Sequence, residues 1–356
     1  MIYVISTIIV LGLLVFVHEL GHFLAAKSVG IRVETFSLGF PPKMVGRTVG
    51  ETEYRIGWVP LGGYVKMSGM IDESFDTEFA ESEAQPWEYR SKKSWQKVYV
   101  SSAGVIMNLL LTAIIFFFLT WTGGINEVSQ EPVINALTEG MPAQTAGLME
   151  GDRILSLDGI RIDTWEQVTG YIHERAGIEV ELSYMREGTE GRVTLMPVSQ
   201  KTVYDGDIVE VGMIGIAAAT VNREAGFGES VVHGLATTGY WLKLTWNSLG
   251  ALVSGKESLK NVGGPIMIAQ LAGESAKMGV ASLFSFIAII SINLAFINIL
   301  PIPALDGGHI IVALLEGLRR KEISTRAKLM VQQVGTFILL SLIVLVLYND
   351  ISRWFN

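Results

Sequence analysis

The chain has 356 residues, of which 49% are apolar and only 17% charged, short of the roughly 25% charged residues of soluble domains. It contains no cysteine, which excludes disulfides, thiolate metal sites and cysteine nucleophiles and leaves histidine and carboxylate to hold any metal. The net charge of −8 comes without a basic stripe and argues against nucleic acid as a partner.

In the first segment, 1–27, residues 2–26 are apolar except for a polar cluster at 18–22. No Lys or Arg precedes it and no small-residue cleavage site follows, so it reads as a spanning helix rather than a signal peptide. Charge-free runs follow at 98–121, 278–301 and 330–349. Each approaches the ~20 residues with which a helix crosses a bilayer. The expected fold is therefore a polytopic α-helical membrane protein with four transmembrane helices.

The connecting regions differ in charge. Residues 27–97 hold ten Lys or Arg and 302–329 hold five, whereas 122–277 hold eleven against twenty Asp or Glu. The positive-inside rule, which follows the density of Lys and Arg, places 28–97 and 302–329 in the cytoplasm, with the long acidic region and both termini outside.

The cluster is His18-Glu19-Leu20-Gly21-His22, an H-E-x-x-H sequence. At about 100° per residue, His18 and His22 project within about 40° of each other one turn apart, suited to sharing one tetrahedral Zn2+. Glu19 projects beside them, where its carboxylate reaches a water activated by the metal without ligating it. Three ionisable groups inside an apolar run cost free energy unless they are paired, solvated or metal-bound, and this context favours zinc. A third ligand is required, and the candidate is Asp306. Pro301 and Pro303 end the third run, so Asp306 falls at its cytoplasmic end, at the depth of the pentapeptide. Gly307 and Gly308 permit close backbone approach there.

Two motifs now stand in order, VFVHELGHFLAAK (15–27) and NILPIPALDGG (298–308). Together they resemble the site-2 protease family of intramembrane zinc metalloproteases, and most closely its RseP-like branch, which clips anti-sigma factors. The resemblance implies His18, His22 and Asp306 as zinc ligands and Glu19 as general acid and base. It also implies Asn293 and Asn298 as cleft residues that contact the substrate backbone. Residues 36–70 resemble the family's membrane-reentrant β-hairpin, which helps to hold an unwound substrate. The alternation in Tyr54–Trp58 and the turn at Leu61-Gly62-Gly63 agree with strands there. SAGVIMN (102–108) resembles a second-helix motif, with Val105 where the family often has Pro; Asn108 is read as a helix-packing residue. GGPI (263–266) resembles an element that precedes the third helix.

Between the second and third runs, Val133–Leu137 reads as a strand, Thr164–Ile172 as a short amphipathic helix and 178–198 as two strands about a turn. AGLMEGDRILSLDG (146–159) resembles the circularly permuted bacterial PDZ domain, which implies a β-rich extracytoplasmic PDZ domain over 122–210 that binds peptide C-termini. Residues 211–277 read as an amphipathic interfacial region, with Glu229, His233, Lys243, Lys256, Glu257 and Lys260 recurring and Trp241 and Trp246 suited to an interface. His173 and His233 read as surface residues.

The implied activity is endoproteolysis within single-pass membrane substrates of the anti-sigma-factor type, in the bacterial inner membrane. The same chemistry would serve the clearance of remnant signal peptides. A non-catalytic scaffold docking peptides through the PDZ domain is the contrasting reading.

Overall fold

The computed structural model describes residues 1–71, 82–204, 207–256, 258 and 263–353. The chain divides into two compact units, one of residues 1–119, 234–245 and 249–356, the other of 120–233 and 246–248.

In the first unit, α1 spans Ile2–Ser28. Strands β1 (Val33–Val49) and β2 (Thr52–Met67) form a strongly bent antiparallel pair. The bend makes the β1 stretch 33–38 pair twice, with 63–67 on one side and with 53–56 on the other. A single 3₁₀ turn, Tyr89–Ser91, leads into α2 (Ser94–Gly123). Among the described residues, four helices are long and apolar enough to cross a membrane: α1, α2, Val280–Ile299 and Thr325–Arg353. The protein is thus a membrane protein. Each helix satisfies its own backbone groups, the condition for spanning hydrocarbon.

The second unit contains β3 (Ile125–Val128), β4 (Ala136–Leu137), α3 (Pro142–Thr145), β5 (Arg153–Leu157), β6 (Ile160–Arg161), α4 (Trp165–His173), β7 (Val180–Arg186) and β8 (Thr189–Leu195). Then come β9 (Val198–Tyr204), β10 (Asp207–Met213), β11 (Ile216–Ala217) and β12 (Thr220–Arg223). Its main sheet has the order β6-β5-β7-β8, all antiparallel. Ile134, Leu148, Ile154, Leu157, Val168 and Leu182 are among the residues of its apolar core. The expected helix is present, and Thr164 caps it through a reciprocal bond with Gln167.

The expected strand Val133–Leu137 requires correction. Only Ala136–Leu137 is a strand, with one isolated bridge from Val133 to Arg153. Ile134 donates to the Asp152 carbonyl while Asn135 donates to that of Ala217, so the segment divides its hydrogen bonds between two partners and builds no continuous ladder.

Residues 211–277 contain two helices, α5 (Phe227–Val253) and α6 (Pro265–Met278). Glu229, His233 and Lys243 lie on α5, whereas Glu257 and Lys260 lie outside the described residues. Asp350, on the last helix, accepts the backbone N–H groups of Gly264, Ile266 and Met267 and so caps α6.

The third long helix, α7 (Val280–Ile299), stops before Pro301. The connecting region 302–329 has helical structure of its own. It contains the 14-residue α8 (Asp306–Arg319), followed by α9 (Thr325–Arg353). Its charges mark an aqueous segment, but Ile310, Ile311, Ala313, Leu314 and Gly317 recur at helical spacing.

Candidate metal centre and its cleft

Burial first shows which side chains the fold gathers. His18 and His22 are both buried on α1, and Asp306 at the first turn of α8 is nearly so. His18 Nε2 lies 3.2 Å from His22 Nε2, 3.2 Å from Asp306 Oδ2, and His22 Nε2 lies 3.3 Å from Asp306 Oδ1. Zinc bonds of about 2.0–2.1 Å at tetrahedral angles put ligand atoms about 3.3 Å apart, so these residues fit the metal. Asp306 Oδ2 is buried and, despite its nearness to His18, has no hydrogen bond of acceptable geometry. The atoms converge on a shared point rather than on one another. This is the only His/Asp/Glu cluster of metal-binding geometry among the described residues.

Close backbone approach sets this geometry. Gly21 lets α1 meet α2, since a Cβ there would stand 2.5 Å from the Ala103 carbonyl oxygen. On α2, a Cβ at Gly104 would overlap His22 Nε2 and lie 2.6 Å from His18 Cε1. Gly307 is pressed against the Ile299 and Leu300 carbonyls, and this brings Asp306 back beneath the end of α7. An ion network holds α8 in place: Lys97 lies 3.0 Å and Lys328 2.6 Å from the Glu316 carboxylate, which also accepts the Ile323 N–H. Burial alone would raise the Glu316 carboxyl, yet Lys328 and Lys97 outweigh it and hold the group below the usual carboxylate range.

Beside the cluster a cleft of about 370 Å³ is lined by Val15, Glu19, Gly62–Val65, Leu294 and Asn298 among others. In β2, residues 63–67 pair with 33–38, and among the described residues their other edge faces no ladder partner. The backbone amide of Val65 meets the Glu19 side chain. Gly63 permits this approach, since its Cβ would stand 2.9 Å from Val15 Cγ1 and 3.5 Å from Glu19 Cγ.

Of the two asparagines of α7, Asn298 is at the cluster, its Nδ2 3.3 Å from His18 Nε2. Asn293 is instead bonded to Thr245 Oγ1 of α5 at 3.2 Å and is not among the cleft-lining residues. Two further groups reach the histidines. The Val100 carbonyl lies 2.8 Å from His22 Nδ1, and the fully buried Asn108 amide lies 3.2 Å from His18 Nδ1. Asn108 is more than the helix-packing residue read from the sequence. SAGVIMN was the available signal, but only the crossing of α1 and α2 shows what its Gly and Asn touch.

Two imidazoles and a carboxylate with a glutamate one residue from the first histidine, buried among apolar helices, define the class: a metallopeptidase centre in a membrane protein. Comparison with known proteins agrees. Residues 6–342 match the profile of Peptidase family M50. A Clostridium perfringens protein is 36% identical over 352 residues, which cover 98% of each chain. The zinc metalloprotease RasP of Geobacillus kaustophilus is 30% identical over 99% of this chain and 98% of its own. The regulator of sigma-W protease RasP of Bacillus subtilis is 30% identical over 99% of both. A solved PDZ domain of an SdrC-like protein from Listeria monocytogenes overlaps 27% of this chain at 18% identity, with a TM-score of 0.21, too small an overlap to assign a fold. The chain belongs to peptidase family M50, the site-2 protease family.

Proposed function

We propose that the protein is a zinc metalloendopeptidase that cleaves transmembrane segments of single-pass membrane proteins of the anti-sigma-factor type. The observation that carries this reading is the edge of β2, without a ladder partner among the described residues, that runs past Glu19 and the ligand cluster. A helical peptide bond is shielded, so the substrate must unwind, and its freed backbone groups need partners within the bilayer. An extended segment added to residues 63–67 gains them by strand pairing. Asn298 stands where it can hold a backbone group beside the scissile bond.

His18, His22 and Asp306 would hold the zinc. When bound, zinc supplies Lewis acidity that polarises the scissile carbonyl and acidifies a water. Glu19 takes the proton of the attacking water and passes it to the leaving amine, so the peptide is split with one water consumed. The cleft walls position the carbonyl and limit the water that enters.

The higher density of Lys and Arg in 27–97 and 302–329 than in 122–277 supports a cytoplasmic site and an extracytoplasmic 122–277, in the bacterial inner membrane. The sheet β6-β5-β7-β8 with α4, and AGLMEGDRILSLDG, support a PDZ domain that takes extended peptide ends. The regulatory name of the Bacillus subtilis relative supports regulated proteolysis.

The test uses membranes carrying the full chain, with single-pass substrates and a remnant signal peptide. Glu19→Gln is expected to lower cleavage by about 10²–10⁴-fold, the usual weight of a general acid/base, while retaining zinc. A fully active Glu19→Gln protein sinks the mechanism. Cleavage of the signal peptide alone would move the function to clearance.

A further inference from the structure

The two histidines at the centre are oriented by different kinds of partner. His22 Nδ1 faces the Val100 backbone carbonyl at 2.8 Å. A carbonyl only accepts, so it holds the proton on Nδ1 and leaves Nε2 free for a metal. That tautomer of His22 is preset by the backbone.

His18 has no such fixed acceptor. Its Nε2 faces His22, Asp306 and Asn298, so Nδ1 is the atom turned away from the cluster. Nδ1 lies 3.2 Å from the Asn108 side-chain nitrogen. An NH2 group donating to Nδ1 matches the ring that carries its proton on Nε2, the atom turned toward the cluster. A metal on Nε2 requires the opposite tautomer, with an Nδ1–H that needs an acceptor. Asn108 Oδ1 is fully buried and has no hydrogen-bond partner. Turning the amide end over exchanges two nearly isosteric atoms and breaks no bond to Oδ1. The Asn108 backbone stays put meanwhile, because its carbonyl accepts from Thr112 Oγ1 at 3.1 Å and from Ser291 Oγ of α7 at 2.8 Å.

We propose that Asn108 is a positioning residue whose amide oxygen accepts the His18 Nδ1–H and thereby fixes the tautomer that presents Nε2 to zinc. The inference rests on the zinc site proposed above. Asn108 thus couples metal loading to an amide turn, a requirement that falls on His18 and not on His22.

The test measures zinc affinity of the purified full chain by competition with a chelator of known affinity, with no cleavage assay involved. Asn108→Leu keeps the bulk and removes the acceptor, and is expected to weaken zinc binding about 10–100-fold, the usual effect of losing such an outer partner. Asn108→Asp keeps the shape and supplies only acceptors, and is expected to bind zinc at least as tightly as the wild type. Because Asn108→Asp is isosteric, it remains informative if Asn108→Leu fails to fold. Binding by Asn108→Asp that is weakened tenfold overturns the proposal, as does Asn108→Leu binding within about threefold of the wild type. A wild-type chain that binds no zinc overturns the metal site itself and this proposal with it, whereas normal wild-type binding with indifferent Asn108 variants overturns only the role of Asn108.

Discussion

The unit built on the long helices and the unit of residues 120–233 both bury apolar clusters but differ in where their polar groups lie. In 120–233 the interior is apolar: Ile134, Leu157, Val180 and Leu182 are wholly buried, and the charged side chains are mostly outside. In the long-helix unit, α9 turns Phe337, Val344 and Tyr348 outward, while Ser6, His18, Asn108, Thr112 and Ser291 are buried. Water drives apolar groups inward in the first case. Hydrocarbon offers no such drive in the second, so polar groups meet inside, where they find partners. A metal site made of charged ligands therefore belongs naturally to the interior of the long-helix unit.

The largest effect that tests this contrast is expected from Glu316→Ala. It strands the buried Lys97 ammonium, and breaking a buried pair costs about 3–5 kcal/mol. Thermal unfolding of the solubilised chain should shift down sharply, and α8 with Asp306 should loosen, reducing bound zinc. Unchanged stability would mean that the ions are not held in a dry interior.

Leu157→Ala should cost about 2–4 kcal/mol by opening a cavity in an apolar core. The loss should show as faster hydrogen exchange in β5 and β7, with zinc content unaltered. If zinc content falls as well, the two units do not have separate cores.

Asp152 is the exception within 120–233, a wholly buried carboxylate. Burial would raise its pKa, but two bonds from Arg186 and the Met149 N–H hold it below the usual range. A lowered folded value means that its contribution is present above the unfolded value of about 3.9 and is lost as pH falls through the folded one. Protection of the amides in 120–233, relative to their intrinsic exchange at each pH, should therefore fall as pH drops below about 4. Asp152→Asn should be less stable by about 1–3 kcal/mol at neutral pH and should flatten this acid dependence. A retained acid slope would assign it to another group.

The smallest effect is expected from Phe337→Ala. This ring is 72% exposed on α9, and lipid is as apolar as the ring, so unfolding should change by less than about 1 kcal/mol. A loss as large as that of Leu157→Ala would show that this face is covered by protein.

Much of this was legible in advance, for reasons that differ from residue to residue. Uninterrupted apolar runs have one stable answer in a bilayer, so α1, α2, α7 and α9 were readable from composition alone. His18 and His22 were readable because helical spacing is local geometry. The segment 133–137 was misread because its apolar alternation does not show that two partners divide its hydrogen bonds. Helix α8 was missed because its charges spoke for water and drowned its periodicity.

The sequence by itself determined the four apolar helices, the pair of histidines with Glu19, and Asp306 as their candidate third partner. All of these follow from spacing and from the cost of charge in hydrocarbon. Only the tertiary structure decided that Asn108 and the Val100 carbonyl face the two imidazoles, that Gly104 makes room for both, and that Asn293 bonds to Thr245. Those facts depend on where helices cross, and crossings are set by side chains far apart in the chain.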